Sequence, residues 1–432
     1  MALAHRVRIA AVIALVLSIA RVGYGQTTGS VRPFQGLFGP TQNEQTRSRQ
    51  LDLNWSLYGA QDDNSFLSND ADILDATLQA NRMYSGANIS LAYTRRPPRK
   101  VLTLSAASAA RYYPDLHRLV STRYSGGAMF EVIPADRWQV QTSGTVSYSP
   151  YYQVVLGASP GLSGLDVAGP NADYAASRQD SMTYGSFFGA KRTFSPTSSM
   201  SMSYGLRYMH FLGAAQYADQ RAGFRYTRAV SKSFALNLGY QQSAVTPVRG
   251  SEEPAIYGSN VDIGLGYNRT LFSSSRTSIS FTSGTSTVST AGGSQFLVTG
   301  SARLTRQLSR LWTAQLLYDR GVQVPDGTLR PFFSDTVNAN LSGYFNSRVL
   351  FRALPSFAHG TVGIGAQSNA YDSISNTTRV EVALGRQVAL YLEHFYYRYA
   401  FANNADLPAM LSGGLNRKGA RVGLTLWTPV IR

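Results

Sequence analysis

The sequence predicts an all-β fold: a transmembrane antiparallel up-and-down β-barrel of about 18 strands, with both termini periplasmic. Three observations carry that expectation. A hairpin phrase recurs along most of the chain, a secretory leader stands at its start, and no later segment offers the ~20 consecutive apolar residues of a spanning helix. The clearest phrase is Phe224-Arg-Tyr226-Thr-Arg228-Ala-Val-Ser231-Lys-Ser-Phe234-Ala-Leu236-Asn-Leu238-Gly-Tyr240. Its two arms alternate large apolar with small or polar residues, so one face of each strand is greasy and the other wet. Similar phrases run through Tyr267-Asn-Arg269 to Phe281, through Leu304 to Tyr318, and more loosely from Phe187 to Tyr204. In lipid, only helices or a closed barrel satisfy every backbone hydrogen bond.

The leader is expected to be a signal peptide over residues 1–25. Arg6 and Arg8 give the basic start, Ile9 to Ala20 the short apolar run, and Gly23 and Gly25 the small residues before a cleavage point at Gln26. The run is too short and wrongly flanked for a stable anchor. The chain has no cysteine, which excludes disulfides, thiolate metal sites and cysteine nucleophiles. Residues 26–49 follow as a periplasmic N-terminal segment, apolar and turn-rich around Phe34 to Pro40 and polar from Thr41 to Gln50. The barrel is expected to occupy 50–432.

Its first strand is placed at 51–59, where Leu51, Leu53, Trp55 and Leu57 share a face. A polar stretch with Asp62 and Asp63 reads as a solvated loop before the second strand at 86–95. Further strands fall near 100–112, 119–133, 137–149, 181–192, 198–211, 216–228, 232–242 and 257–269. The series closes with 276–288, 294–306, 311–323, 334–346, 349–362, 376–386, 388–401 and 417–427; the alternative count is 16. Short turns such as 95–100, 133–137 and 228–232 rotate with long links at 150–180, 243–256, 323–333 and 402–416, as in barrels with short periplasmic turns and long outer loops. A β-sandwich would need no such rotation and would bury one face against a second sheet. The irregular spacing of the phrase argues against a solenoid.

Parity assigns the faces. Phe224 and Tyr226 are expected outside, as are Phe234, Leu236, Leu238, Val261, Ile263, Phe296 and Val298. The lumen-lining candidates are Arg207, Asp219, Arg221, Arg225, Asp262, Arg303, Asp319, Glu381 and Glu393, among Ser, Thr, Asn, Gln and Gly. Such a lumen is expected to hold water rather than an apolar ligand, and its arginines suggest a mild preference for anions. A weakly selective pore, or a lumen closed by cross-barrel ion pairs, are the alternatives.

Without residues 1–25, 37 basic stand against 24 acidic residues, a charge of +13. The cations are spread over turns and strands, with no dense run or aromatic reading platform, which argues against nucleic acid. Arg192, Arg228, Arg269, Arg306 and Arg386 recur where strands leave the hydrocarbon, so they are read as periplasmic interface anchors reaching lipid phosphate. Tyr93, Tyr226 and Tyr267 fit the aromatic girdle beside them.

No chemistry-bearing motif emerges. His117, His210, His359 and His394 lack metal-site spacing, and no phosphate-binding glycine loop occurs, so no cofactor or metal is expected. An omptin-like protease would need Asp62 or Asp63 with His117 or His210 at the outer rim. A phospholipase-like barrel would need a serine beside His210 or His394 on the lipid face. Neither pattern has a local motif, and the reading is a non-enzymatic protein.

The Tyr-x-Arg-x-x-Ser turn phrase and the leader make the chain resemble the porin-like outer-membrane β-barrel proteins of Gram-negative bacteria, over most of residues 50–432. It is similar in texture to barrels associated with exopolysaccharide export. The resemblance implies an outer-membrane location, passage of small hydrophilic solutes or exported glycan, and lipid and the barrel-assembly machinery as partners; the competing role is a non-conducting structural or docking barrel with a periplasmic export partner. Such barrels commonly end in an aromatic residue; here Trp427 is followed by Thr428-Pro-Val-Ile-Arg432.

Overall fold

Alternating sequence becomes alternating wall. The computed structural model describes residues 48–66, 82–114, 119–150, 152–153, 175–177, 180–212, 215–250, 254–269, 277–290, 293–325, 329–363, 368–403 and 414–431. The expected signal peptide and nearly all of the N-terminal segment lie outside them.

The strands are β1 (Arg49–Phe66), β2 (Arg82–Arg95), β3 (Lys100–Tyr113), β4 (Leu119–Ala135) and β5 (Trp138–Ser149). A two-stranded ribbon, β6 (Tyr152–Gln153) with β7 (Ala175–Ser177), lies in the next link. Then come β8 (Ser181–Ser195), β9 (Ser198–Phe211), β10 (Gln216–Ala229), β11 (Phe234–Arg249), β12 (Ile256–Arg269) and β13 (Thr277–Thr290). The circuit ends with β14 (Gly293–Gln307), β15 (Trp312–Gln323), β16 (Phe332–Tyr344), β17 (Val349–Val362), β18 (Asn369–Ala383), β19 (Val388–Phe401) and β20 (Gly414–Ile431). Apart from the ribbon, each strand pairs antiparallel with its neighbours in sequence, and β20 pairs with β1. The sheet of 18 strands is therefore a closed barrel with no edge. With strands ~4.8 Å apart and tilted by ~40°, it is about 36 Å across from backbone to backbone.

Both described chain ends lie at the short-turn end, since Leu51 faces Ile431 and Arg49 faces Arg95 beside the turn at 96–99. The serine of the hairpin phrase makes that turn. Ser231 Oγ accepts the backbone N–H groups of Ser233 (3.2 Å) and Phe234 (3.1 Å). Ser309 does the same for Leu311 (3.0 Å), and Asn346 for Arg348 and Val349 (2.8 and 2.9 Å). Short polar side chains thus replace water at backbone donors that a tight turn leaves unpaired.

The outward face carries an apolar belt: Leu57, Ile89, Phe188, Met202, Phe224, Leu236, Leu238, Ile263, Phe281, Val298 and Leu392 are all exposed. So large a continuous apolar surface belongs in lipid, not water. Aromatic contacts mark its two borders. Near the short turns Phe234 meets Tyr267 (4.8 Å between centroids) and Trp312 meets Phe345 and Phe351 (5.1 and 5.8 Å). Toward the other end Tyr124 pairs with Tyr148 and Tyr184 with Tyr208 (6.2 and 6.3 Å).

Several strands are longer than the apolar alternation predicts. β1 continues to Phe66, β11 to Arg249, and β18 begins at Asn369. A 14-residue strand tilted by ~40° rises about 36 Å, beyond the ~25 Å apolar band. Outward positions past the belt need not be apolar, so a hydrophobic pattern cannot report where the strands end. Asp62 is corrected for this reason. It lies within β1, buried and inward, not in a solvated loop, while Asp63 faces out and pairs with Lys418 (3.3 Å). β20 likewise runs past Trp427 to Ile431, so the unusual chain end is part of the wall. The rotation of long and short connections is not strict either: only residues 291–292 join β13 to β14 at the long-link end.

The lumen also departs from the expected uniform wetness. At the long-link end, inward Phe211, Tyr217, Phe332, Tyr371, Tyr397 and Phe401 are buried in one apolar cluster. Inward side chains hidden from solvent are covered by other protein, so this part of the inner face does not meet water.

Candidate functional site

Register fixes which side chains share the lumen, because inward positions face inward positions across each pair. Asp219 stands opposite Arg207, Gly239 opposite Asp262 and Arg225, and Ser301 opposite Asp319. By the same parity Arg221, Arg303, Glu381 and Glu393 point inward. The structure thus places all nine sequence candidates on the inner face, in two groups of different character.

The first group lies on β9 to β12. Arg221 grips Asp219 through Nε (3.1 Å to Oδ1) and Nη2 (2.9 Å to Oδ2), and Arg207 Nη2 reaches the same Oδ2 at 3.4 Å. Arg225 donates to Asp262 Oδ1 at 3.3 Å. The Asp262 carboxylate lies flat over Gly239, where a Cβ would overlap it. The glycine thereby lets the acid sit against the wall while its arginine stands clear. Side-chain exposure separates the partners: Arg207, Arg221 and Arg225 are 38%, 39% and 47% exposed, Asp219 only 5% and Asp262 18%. Arg303, further round on β14, is exposed as well, and Asp319 is half-buried. From the lumen, guanidinium groups stand in front of recessed carboxylates.

The second group spans β17 to β20 and β1 to β4. Arg352, Arg379, Glu393 and Arg421 form one inward row across four strands. Arg421 Nη1 donates to Glu393 Oε1 and its Nη2 to the Tyr84 hydroxyl, both at 3.3 Å. Arg379 lies between Glu381 (3.1 Å) and Glu393 (3.7 Å), with its guanidinium 3.9 Å from the Tyr391 ring centre. Arg417 Nε donates to both Asp62 oxygens (2.9 and 2.8 Å), and its Nη2 to Oδ2. The side chains of Glu393 and Arg421 are 1% and 3% exposed. Asp62, Glu393, Arg417 and Arg421 are sealed among Tyr58, Tyr84, Tyr391 and Phe395, so they hold the wall and do not meet the lumen, while Arg352 and Arg379 are half-buried. Glu381 and Glu393 belong here, facing inward yet buried.

Sequence reasoning missed Asp62, Arg111, Arg123, Arg352, Arg379, Arg417 and Arg421. A signal was present in the last strand: Arg417, Gly419, Arg421 and Gly423 alternate with Lys418, Ala420, Val422 and Leu424. The glycines there seat the aromatics, since a Cβ at Gly423 would fall 2.7 Å from Tyr58 Cβ and 2.8 Å from Tyr391 Cε1. In strand order β20 and β11 are nine steps apart on an 18-strand circuit, so the sealed and the exposed walls face each other across the lumen.

The five turn arginines lie at the short-turn end. Arg192 points outward and stacks on Trp138 and Phe194, both at 5.2 Å. Arg228 and Arg306 share the outward face, Arg386 lies in the turn at 384–387, and Arg269 ends β12 with its side chain outside the described residues.

One acid–base pair bears on the enzyme reading. His359 Nδ1 is 2.7 Å from Asp372 Oδ1 on the outward face. The positions opposite and diagonal to His359 on the neighbouring strands are Asp335, Phe333, Val337, Asp372, Ala370 and Ile374, with no serine among them. Among the described residues no cluster of His, Cys, Asp or Glu has metal-binding geometry.

Closed barrel, apolar belt, aromatic borders and charged lumen together define a porin-like transmembrane β-barrel. No family model and no curated protein matches the chain. Among solved structures it is similar to Pseudomonas aeruginosa OccK2 (OpdF), at 8% identity and a TM-score of 0.48, covering 89% of this chain and 98% of that one. It is also similar to Pseudomonas aeruginosa OccK11 (OpdR), at 9% identity and a TM-score of 0.46 over 89% and 96%. Acinetobacter baumannii OccAB3 gives 9% identity and a TM-score of 0.43 over 88% and 99%.

Proposed function

We propose that this protein is a passive, non-enzymatic channel of the bacterial outer membrane for small hydrophilic solutes, with a preference for anions. The observation that carries the reading is the asymmetry of the β9–β12 wall. Its three arginines are exposed to the lumen, and the carboxylates that balance them are recessed. An ion in transit responds to the charge it can approach, so such a wall acts as more positive than its formal sum. The short-turn end, with both described chain ends and the arginine anchors, then faces the periplasm.

Planar-bilayer recordings in a salt gradient test this reading. A reversal potential of the sign set by anion flux supports it, and cation selectivity refutes it. The buried apolar cluster at the long-link end favours a second reading, a non-conducting docking barrel of an envelope or polysaccharide-export assembly. Liposome swelling with sugars of graded size separates the two: size-dependent entry supports the channel, and no entry supports the docking barrel.

A further inference from the structure

One corner of the short-turn rim gathers five cations, of which the described residues balance one. Arg49 and Arg95 stand directly opposite each other on the outward face of β1 and β2. The turn that follows adds Arg96 and Arg99, and Lys100 opens β3 on the same outward face. All five are exposed. Arg99 pairs with Asp136 at 2.6 Å. The side chains of Arg49, Arg95, Arg96 and Lys100 have no ion-pair or hydrogen-bond partner among the described residues. Like charges directly across a strand pair destabilise it, so an uncompensated Arg–Arg pair calls for an anion.

Neighbouring turns contrast with this corner. Arg137 donates to the Phe194 carbonyl at 3.3 Å, and Arg192 stacks on Trp138 and Phe194. Position names the class of anion. The next outward row above Arg49 and Arg95 is Leu51, Tyr93 and Leu104, the border of the apolar belt. Two residues along a strand is about 7 Å, which puts the guanidinium groups at headgroup depth when the belt sits in hydrocarbon.

We propose that this corner is a binding site for the phosphodiester headgroup of an anionic phospholipid, with Arg49, Arg95 and Lys100 as its outward-facing ligands. It differs from generic anchoring in being one discrete place, beside the seam where β1 meets β20. The site rests on the barrel lying in a membrane, not on its conducting ions.

The test uses the full chain folded in neutral detergent, titrated with phosphatidylglycerol or phosphatidylcholine and read by native mass spectrometry. The expected result is a retained phosphatidylglycerol adduct without a matching phosphatidylcholine adduct. The triple variant Arg49→Gln/Arg95→Gln/Lys100→Gln should weaken it by about 10-fold or more, given that each cation near an anionic surface contributes appreciably. A control variant, Arg192→Gln/Arg228→Gln/Arg306→Gln, should keep it. Equal adducts in the triple variant, or equal loss in the control, would overturn the site. So would displacement by glycerol phosphate at the concentration where the lipid binds, which would identify a free-anion site. Heat-modifiable migration on unboiled gels confirms that each variant is folded. If the triple variant does not fold, the wild-type preference for phosphatidylglycerol over phosphatidylcholine, and its loss on raising salt, decide the question.

Discussion

If the barrel conducts as proposed, neutralising Arg221 and Arg225 together should shift its selectivity in a way that salt erases. Both side chains are more than a third exposed to the lumen, and their removal leaves Asp219 with Arg207 alone and Asp262 without Arg225. A monovalent ion about 10 Å from each lost charge feels a change of about 0.4 kcal/mol per charge in unscreened water. Screening reduces this to about 0.3 kcal/mol at roughly 10 mM salt and about 0.15 kcal/mol at roughly 0.1 M. Two charges act, and anion and cation respond with opposite sign. The anion-to-cation permeability ratio of Arg221→Gln/Arg225→Gln should therefore fall about 7-fold at the lower salt and about 3-fold at the higher, and barely change near 1 M. Reversal potentials in planar bilayers measure it directly. An unchanged ratio at low salt would refute the exposed wall as the selectivity determinant. A shift that persisted near 1 M salt would mean that the substitutions had changed the shape of the pore.

Three further expectations concern the wall. Asp62→Asn strands the buried Arg417 and should destabilise the barrel by about 3–5 kcal/mol, whereas Asp62→Leu/Arg417→Met should recover most of that loss; denaturant unfolding in detergent followed by tryptophan fluorescence measures both. Gly423→Val forces Tyr58 and Tyr391 from their seats and should cost about 1–3 kcal/mol or more, while Ala420→Val, on the outward face of the same strand, should be close to neutral. Leu392→Lys places a charge in the outward belt and should cost about 2–4 kcal/mol if the belt lies in hydrocarbon, but almost nothing if the barrel stands in water. Comparing its unfolding with that of the wild type in lipid bilayers distinguishes those cases.

Much of the wall was legible because the membrane imposes period two on it. Phe234, Leu236, Leu238 and Tyr240 announce their face, and Asp262 between Val261 and Ile263 announces the other. What the sequence could not show is which inward charges meet water. Arg221 and Arg421 look alike in sequence, each an inward arginine beside an alanine in an alternating strand. One stands over a recessed aspartate in the lumen, and the other is sealed by Phe395 of the neighbouring strand and by Tyr58 and Tyr84 from strands hundreds of residues away. Asp62 was misread for the same reason: its partner is 355 positions distant, and no local pattern separates a buried acid from a loop acid. The apolar cluster at the long-link end was hidden because inward Phe332, Tyr371 and Tyr397 lie beyond the belt, where parity still gives direction but no longer polarity.

The seam between β1 and β20 also determines how wide the cylinder is. A barrel's diameter depends on strand number and on the stagger accumulated around its circumference, and that stagger is fixed only when the last strand finds its place on the first. Sliding β20 by one residue would turn Arg417 and Arg421 out into lipid, at a cost of up to about 2–4 kcal/mol for each near mid-membrane. Sliding it by two keeps the faces but sets Tyr58 and Tyr391 against other residues in place of Gly423, whose missing side chain leaves room for Tyr58 Cβ and the edge of the Tyr391 ring. Charges therefore reject odd slips and a glycine rejects even ones. The bore of the cylinder is written into a handful of residues at the place where the chain meets its own beginning.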